Sequence, residues 1–152
     1  MLDQTTVGTT RRASAVPRSP TLAHIDVTHV AEQTYAVFIR DHELTVDQPF
    51  SAGGDDDGPT PVELFVSSLA SCVAYYAGRF LQRHRLSYEG LRVRAEFDMA
   101  DDRPTRVAAV RMRILLPVRL SESRRRALYA VVNHCTVHNS LRQPPEISVV
   151  MD

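Results

Sequence analysis

A capped apolar helix is the feature that most constrains the fold of this chain, and we predict it over residues 60–84. Thr60 can cap its first turn, Pro61 suits the first helical position, and Glu63 stands where a capping box places its acid. Apolar side chains then recur at intervals of three and four and mark one helical face: Val62, Phe65, Val66, Leu69, Val73, Tyr76, Ala77, Phe80 and Leu81. Such a helix, roughly 35 Å long at 1.5 Å per residue, must be covered by a sheet or by a partner chain.

Strand patterns flank this helix on both sides. Alternating apolar and polar residues predict strands over residues 22–30, 34–40, 44–46, 91–99 and 110–116, the last two joined by a turn at 101–104 as an antiparallel hairpin. Ser121 can cap a second helix with an apolar face at Leu128, Val131 and Val132. We predict that residues 138–141 add a helical turn and that residues 146–151 close the chain as a final strand. This order of elements predicts an α+β fold.

The composition is typical of one compact domain. The chain has 152 residues, 43% of them hydrophobic, and its 18 basic and 18 acidic residues cancel, so we expect no nucleic-acid partner and no membrane partner. No apolar run reaches the ~20 residues that span a bilayer, and residues 1–20 lack the apolar core of a signal peptide. We predict a disordered tail over 1–20, a single domain over 21–152, and a cytoplasmic location, where a permanent structural disulfide is not expected.

The chain has two cysteines, Cys72 on the long helix and Cys135 in a polar turn at the end of the second helix. One interpretation is a redox pair. The other is an inert core thiol at Cys72 and a surface cysteine at Cys135, since free cysteine is among the most buried residue types. His134 and His138 flank Cys135 and suggest a metal site, but structural zinc sites bring their ligands from two tight turns, and Cys72 has no second ligand nearby. We therefore expect no metal and no cofactor, and the first two interpretations stay open.

Four segments of the chain carry a resemblance to a known family. They read DQP at residues 47–49, GG at 53–54, PTPVELFVSSLASC at 59–72 and CTVHNSL at 135–141. Together they resemble the OsmC/Ohr family of osmotically inducible and organic hydroperoxide resistance proteins, over nearly everything from about residue 22 to the end. The resemblance implies the fold of that family, an antiparallel sheet with a long central cysteine-bearing helix, assembled as an intertwined homodimer.

The same resemblance implies a cysteine-based organic hydroperoxide reductase of the oxidative stress response, with chemistry like that of peroxiredoxins. Cys72 would be the peroxidatic thiol, and Cys135 would be the resolving thiol that closes a disulfide with it. The implied partners are an organic hydroperoxide substrate, a dithiol reductant and a second copy of the chain. Apolar surroundings at Cys72 would favour alkyl or fatty-acid hydroperoxides over hydrogen peroxide.

The chain departs from the family's peroxidases at the groups that activate the thiol. Those peroxidases carry a glutamate directly after the helix-start proline, where this chain has Val62, and an arginine in the preceding loop. No arginine or lysine occurs here between positions 41 and 78. The candidates to activate or support the thiols are Arg40, Glu63, Arg79, His138 and an arginine of the partner subunit. The alternative function is therefore an OsmC-like dimer that binds a small ligand or senses redox state, with little or no peroxidase activity.

Overall fold

The computed structural model describes residues 23–151, whose backbone forms five strands and three α-helices. In chain order these are β1 (Asp26–Ala31), β2 (Thr34–Ile39), β3 (His42–Val46), α1 (Pro61–Arg83), β4 (Arg92–Met99), β5 (Val107–Leu115), α2 (Glu122–Val132) and α3 (Thr136–Arg142), with one 3₁₀ turn at Phe50–Ala52. The predicted α+β class is confirmed. The tail predicted over residues 1–20 lies outside the described residues.

The strands form two antiparallel sheets. β1, β2 and β3 pair in chain order, and β4 pairs with β5 as the predicted hairpin. In the first sheet Val37 lies opposite both Val27 and Leu44, so these apolar side chains share one face. The three strands contact one another and make no substantial contact with the helices, whereas β4 and β5 pack on α1. The N-terminal sheet, β1–β3, therefore has an apolar face that no helix of the described chain covers, and on it Val27 and Leu44 are 60% and 42% exposed while Val46 is buried.

The start of α1 is fixed by the predicted capping box. The Thr60 side chain accepts a hydrogen bond from the Glu63 backbone N–H, and the Glu63 carboxylate accepts one from the Thr60 backbone N–H at 2.7 Å. The buried residues of the helix lie on the predicted apolar face: Val66, Leu69, Val73, Ala77, Phe80 and Leu81. All of them except Val66 pack in one cluster with Leu128 and Val132 of α2 and with partly buried side chains of the β4–β5 hairpin. The core therefore lies between α1, the hairpin and α2.

A buried carboxylate organises the loop between β3 and α1. Asp47 is completely buried, and its oxygens accept hydrogen bonds from the backbone N–H groups of Gln48 (2.7 Å), Asp55 (3.0 Å) and Asp57 (3.1 Å). The loop folds so tightly that a Cβ added at Gly54 would collide with the Gln48 carbonyl oxygen. The segment that leads into α1 is thus ordered by its own hydrogen bonds.

The predicted final strand over residues 146–151 is wrong. This segment has no regular secondary structure, and Ile147, Val149, Val150 and Met151 are between 82% and 94% exposed. A strand is stabilised by the neighbour with which it pairs, and no strand lies beside this segment in the described chain.

The expectation that no stretch is apolar enough to span a bilayer does not hold for α1. Among the described residues it is the one helix that meets this test, by length and composition alone. The core helix of a soluble protein meets the same test, so the finding is only weak evidence for a membrane span, and five buried residues of α1 belong to the core cluster.

Candidate active site

α1 carries Cys72 near its middle. The neighbouring Leu69 and Val73 are buried, while Cys72 is partly buried and packs against the edge of the core. Its thiol therefore lies where the apolar core meets the surface of the protomer.

Cys135 lies at the junction of α2 and α3, in an extended conformation as the N-cap residue of α3. The polar setting predicted for it is wrong, because Cys135 is completely buried. Leu128 and Val132 bring the end of α2 into the core, and the Cys135 N–H donates a hydrogen bond to the Val132 carbonyl at 3.3 Å. The end of α2 and the residue that follows it at the junction therefore lie inside the core, and Cys135 is more deeply buried than Cys72.

The fold brings the two cysteines together. Both are free thiols, and the Cys72 side chain lies close enough to the Cys135 side chain to shift its pKa. Burial raises the pKa of Cys135, and its hydrogen bond to Cys72 and a negative charge on Cys72 raise it further. The backbone N–H groups of His138 and Val137 lower it, although neither completes a capping hydrogen bond. Cys135 is therefore the thiol that keeps its proton and can donate it in a hydrogen bond to the Cys72 sulfur.

His138 lies in the first turn of α3, beside Cys135. Burial lowers the pKa of its imidazole from the ordinary value of 6.5, and the positive charges of Arg142 and His134 lower it further. The imidazole is therefore neutral at pH 7 and supplies no positive charge to the thiols. Within residues 23–151, no three His, Cys, Asp or Glu side chains gather closely enough to hold a metal ion.

The two candidate arginines of this chain have other surroundings. Arg40 is exposed in the turn between β2 and β3. Arg79 begins two helical turns after Cys72, about 10 Å along the axis. Its guanidinium donates a hydrogen bond to the Tyr75 hydroxyl at 3.0 Å and lies over that ring. In the described part of the chain, no hydrogen bond joins either arginine to a cysteine.

Glu63 is occupied by the helix cap. Its carboxylate accepts hydrogen bonds from the Thr60 N–H and hydroxyl, at 2.7 and 3.0 Å. It also begins about 13 Å along the helix axis from Cys72. The capping interpretation of Glu63 is confirmed, and the residue does not lie beside the thiols.

Tyr76 lies beside the cysteine pair and was predicted only as part of the apolar face. Its hydroxyl shares a hydrogen bond of 3.0 Å with the hydroxyl of Thr136, the residue after Cys135. Its position four residues after Cys72 is the signal that could have identified it, because residues four apart are neighbours on a helix surface.

An apolar groove of about 740 Å³ opens next to the pair, between α1, β5 and the α2–α3 junction. Leu69 and Val73 line it from the α1 side, and Met112 and Val132 line the walls opposite. Arg113, His138 and Arg142 supply polar lining. A groove of this kind suits an elongated apolar molecule with one polar end.

The sequence matches the family model described as OsmC-like protein over residues 54–150, which is more than half of the chain. No curated protein matches it. Among solved structures, a candidate osmotic stress induced and detoxification response protein from Psychrobacter arcticus is 22% identical with a TM-score of 0.73, covering 81% of this chain and 90% of that chain. The OsmC-like protein from Mycoplasma pneumoniae is 15% identical with a TM-score of 0.67, covering 83% and 91% respectively. An organic hydroperoxide resistance protein OsmC from Legionella pneumophila is 18% identical with a TM-score of 0.61, covering 82% and 92%.

At these identities the solved structures establish a shared fold and no more. The family model is the stronger finding, because its matched range contains both Cys72 and Cys135. On this evidence the chain belongs to the OsmC family.

Proposed function

We propose that this protein is a thiol peroxidase that reduces organic hydroperoxides, with Cys72 as the peroxidatic thiol and Cys135 as the resolving thiol. The supporting observation is the proximity, at one edge of the core, of two cysteines that are far apart in sequence. The buried Cys135 keeps its proton, while Cys72 is only partly buried, and its neighbours Leu69 and Val73 line the apolar groove. The name of the Legionella pneumophila neighbour adds support for organic hydroperoxides as the substrate class.

The reaction has three steps. The Cys72 thiolate attacks the distal oxygen of the hydroperoxide, so that an S–O bond forms, the O–O bond breaks and the alcohol leaves with a proton from solvent. The Cys135 sulfur then attacks the Cys72 sulfenic acid, forming an S–S bond and releasing water. A dithiol reductant finally exchanges with this disulfide, restoring both thiols and itself becoming a disulfide. A reducing compartment, the cytoplasm, would supply such a reductant.

The natural test is turnover of cumene hydroperoxide by the purified protein with excess dithiothreitol. We expect Cys72→Ser to reduce consumption to the uncatalysed rate. Without reductant, Cys135→Ser should consume about one equivalent and accumulate a sulfenic acid that dimedone traps, whereas the wild type closes the disulfide. Ser71→Ala is the matched control, since Ser71 precedes Cys72 and its side chain is exposed. Full activity of Cys72→Ser, or no consumption by the wild type, would contradict the assignment.

The alternative is an OsmC-like dimer that binds a small apolar ligand or senses redox state. It is favoured by the surroundings of Arg40 and Arg79, neither of which has a hydrogen bond to Cys72 in residues 23–151, because an apolar setting without a nearby cation slows thiolate attack. A fluorescent fatty acid would then bind the wild type and Cys72→Ser equally well, and neither would consume hydroperoxide. If both bind and only the wild type turns over, the peroxidase assignment stands.

We also propose that two copies of the chain assemble as an intertwined homodimer. No helix of the described chain covers the apolar face of the N-terminal sheet, and residues 147 and 149–151 are exposed as well. A second copy would bury both surfaces and could bring an arginine of the partner subunit to Cys72.

A further inference from the structure

A hydrogen bond links the two segments that carry the cysteines. The Tyr76 hydroxyl lies 3.0 Å from the Thr136 hydroxyl, with Tyr76 on α1 and Thr136 at the first position of α3. Cys72 is four residues before Tyr76, so the two are neighbours on one face of α1. Side chains on a helix lean toward its N-terminus, which places the tyrosine ring over the turn that holds Cys72. The Tyr76–Thr136 bond and the Cys72–Cys135 contact are therefore two adjacent links between the same elements.

The other hydrogen bonds of Cys135 stay within its own junction. Its N–H donates to the Val132 carbonyl at 3.3 Å, and its carbonyl accepts from the Asn139 N–H at 2.9 Å. These bonds fix Cys135 relative to α2 and α3 but not relative to α1. Apart from the thiol contact, Tyr76–Thr136 is the one hydrogen bond between α1 and the junction among the described residues. Apolar packing holds the elements together without fixing a distance, whereas this bond has a defined length and direction.

We propose that Tyr76 and Thr136 are positioning residues that hold Cys135 at the distance from which it closes the disulfide with Cys72, an inference that rests on the proposed peroxidase function. An S–S bond is about 2.05 Å long, so the sulfurs must approach further than hydrogen-bonding distance. In this step the Cys135 sulfur displaces the oxygen of the Cys72 sulfenic acid, the S–O bond breaks, and the Cys135 proton leaves with that oxygen as water. The hydrogen bond keeps the two elements in register while the sulfurs move.

Disulfide closure competes with a second oxidation. If closure is slow, another hydroperoxide molecule transfers its oxygen to the Cys72 sulfenic acid, giving an inactive sulfinic acid and a second alcohol. Sulfenic acid formation makes and breaks covalent bonds only at Cys72, and Cys135 takes part in it only through its hydrogen bond to the Cys72 sulfur. Loss of the Tyr76–Thr136 hydrogen bond should therefore slow closure more than the first oxidation, and raise the fraction of protein lost to sulfinic acid. A general loosening of the fold would not separate the two steps in this way.

The chain offers matched variants for this test. Tyr76→Phe and Thr136→Val each remove one hydroxyl of the pair at almost constant volume, and Thr136→Ser keeps the hydroxyl. Tyr75→Phe is the control. The Tyr75 hydroxyl accepts a hydrogen bond from Arg79, and its ring packs edge-on against the Tyr76 ring with the ring centroids 5.6 Å apart. Its hydroxyl has no hydrogen bond to the α2–α3 junction, so this variant removes a tyrosine hydroxyl without removing the link to Cys135. Unfolding midpoints measured for all four would establish that each variant is folded.

The experiment measures the two oxidation steps separately by rapid quench with cumene hydroperoxide, followed by mass spectrometry. We expect Tyr76→Phe and Thr136→Val to close the disulfide about three- to tenfold more slowly, as expected for the loss of one hydrogen bond. Sulfenic acid formation should slow less than closure and sulfinic acid should increase, while Thr136→Ser and Tyr75→Phe should match the wild type. Closure at the wild-type rate in Tyr76→Phe, or equal slowing in Tyr75→Phe, would overturn the assignment.

A second measurement separates this inference from the proposed function. Diamide oxidises two thiols to a disulfide, itself becoming a hydrazine, and needs no peroxidase activity. If the wild type fails to consume hydroperoxide, the proposed function fails, yet closure by diamide and the disulfide equilibrium with glutathione still report on the hydrogen bond. Slower closure and a less favourable disulfide in Tyr76→Phe, relative to Tyr75→Phe, would support the positioning role, and equal values would refute it.

Discussion

At the scale of single residues, Asp47 is the one buried charged side chain among residues 23–151. Burial by itself raises the pKa of a carboxyl group, but the N–H groups of Asp57, Gln48 and Asp55, together with the Thr34 hydroxyl, outweigh it, so the pKa of Asp47 is lowered. The ionised form is thus the one that the folded loop stabilises. Because this loop leads directly into α1, the hydrogen bonds of Asp47 help to fix the position at which the cysteine-bearing helix begins.

We expect Asp47→Asn to destabilise the protein at neutral pH. An amide has one acceptor oxygen, so it cannot serve all three N–H donors of the loop. Since the folded pKa lies below the ordinary value of 3.8, the stability from ionised Asp47 is present above about pH 4 and is lost as the pH falls through the folded pKa. The difference in unfolding free energy between wild type and variant should therefore be largest at pH 7 and shrink below pH 4.

Urea unfolding at pH 7 and at pH 3 measures this difference. Asp56→Asn is the control, because Asp56 lies in the same loop with an exposed side chain and a φ of 58°, a conformation that asparagine tolerates. A difference for Asp47→Asn that does not change with pH would contradict the role given to its charge.

At the scale of elements, the capping box stabilises α1 but does not contact the thiols, so its loss should affect stability and not catalysis. We expect Thr60→Ala to lower the free energy of unfolding by about 1 kcal/mol, the usual effect of losing an N-cap side chain. Thr60→Ser keeps the hydroxyl and should remain close to the wild type. Urea unfolding at one protein concentration gives the stabilities, and dithiothreitol-dependent hydroperoxide turnover gives the activity per folded molecule. Because Glu63 has no contact with the thiols, turnover by folded Thr60→Ala should equal that of the wild type.

Most elements could be predicted because their signals are local. Caps such as Thr60 and Ser121 act over three residues, and the helical and strand periods repeat within each element. The segment over 146–151 shows the limit of this reasoning. Its alternation is typical of a strand, but pairing depends on an edge elsewhere in the structure, and no strand of the described chain pairs with it.

At the scale of the whole molecule, the uncovered apolar face of the N-terminal sheet leads to a prediction about assembly. Val27 lies on this face and is 60% exposed, so Val27→Glu places a charge where a second copy would bury it. We expect the wild type to be a dimer by size-exclusion chromatography with light scattering, and Val27→Glu to shift toward monomer.

Thr28→Glu is the matched control for assembly. Thr28 is the next residue in β1, so its side chain points to the opposite face of the sheet. It should leave the dimer intact. A monomeric wild type at micromolar concentration would refute the dimer, and equal loss of dimer in both variants would show that the apolar face is not the contact.

The sequence by itself determined the α+β class, the capped helix with Cys72 at its middle, the β4–β5 hairpin and the role of Glu63 in the cap, because each depends on residues a few positions apart. Only the tertiary structure decided that Cys135 is the buried thiol, that it meets Cys72, and that Tyr76 reaches Thr136. Those contacts join segments that are distant along the chain, and their distances are set by how α1, α2 and α3 pack around one core.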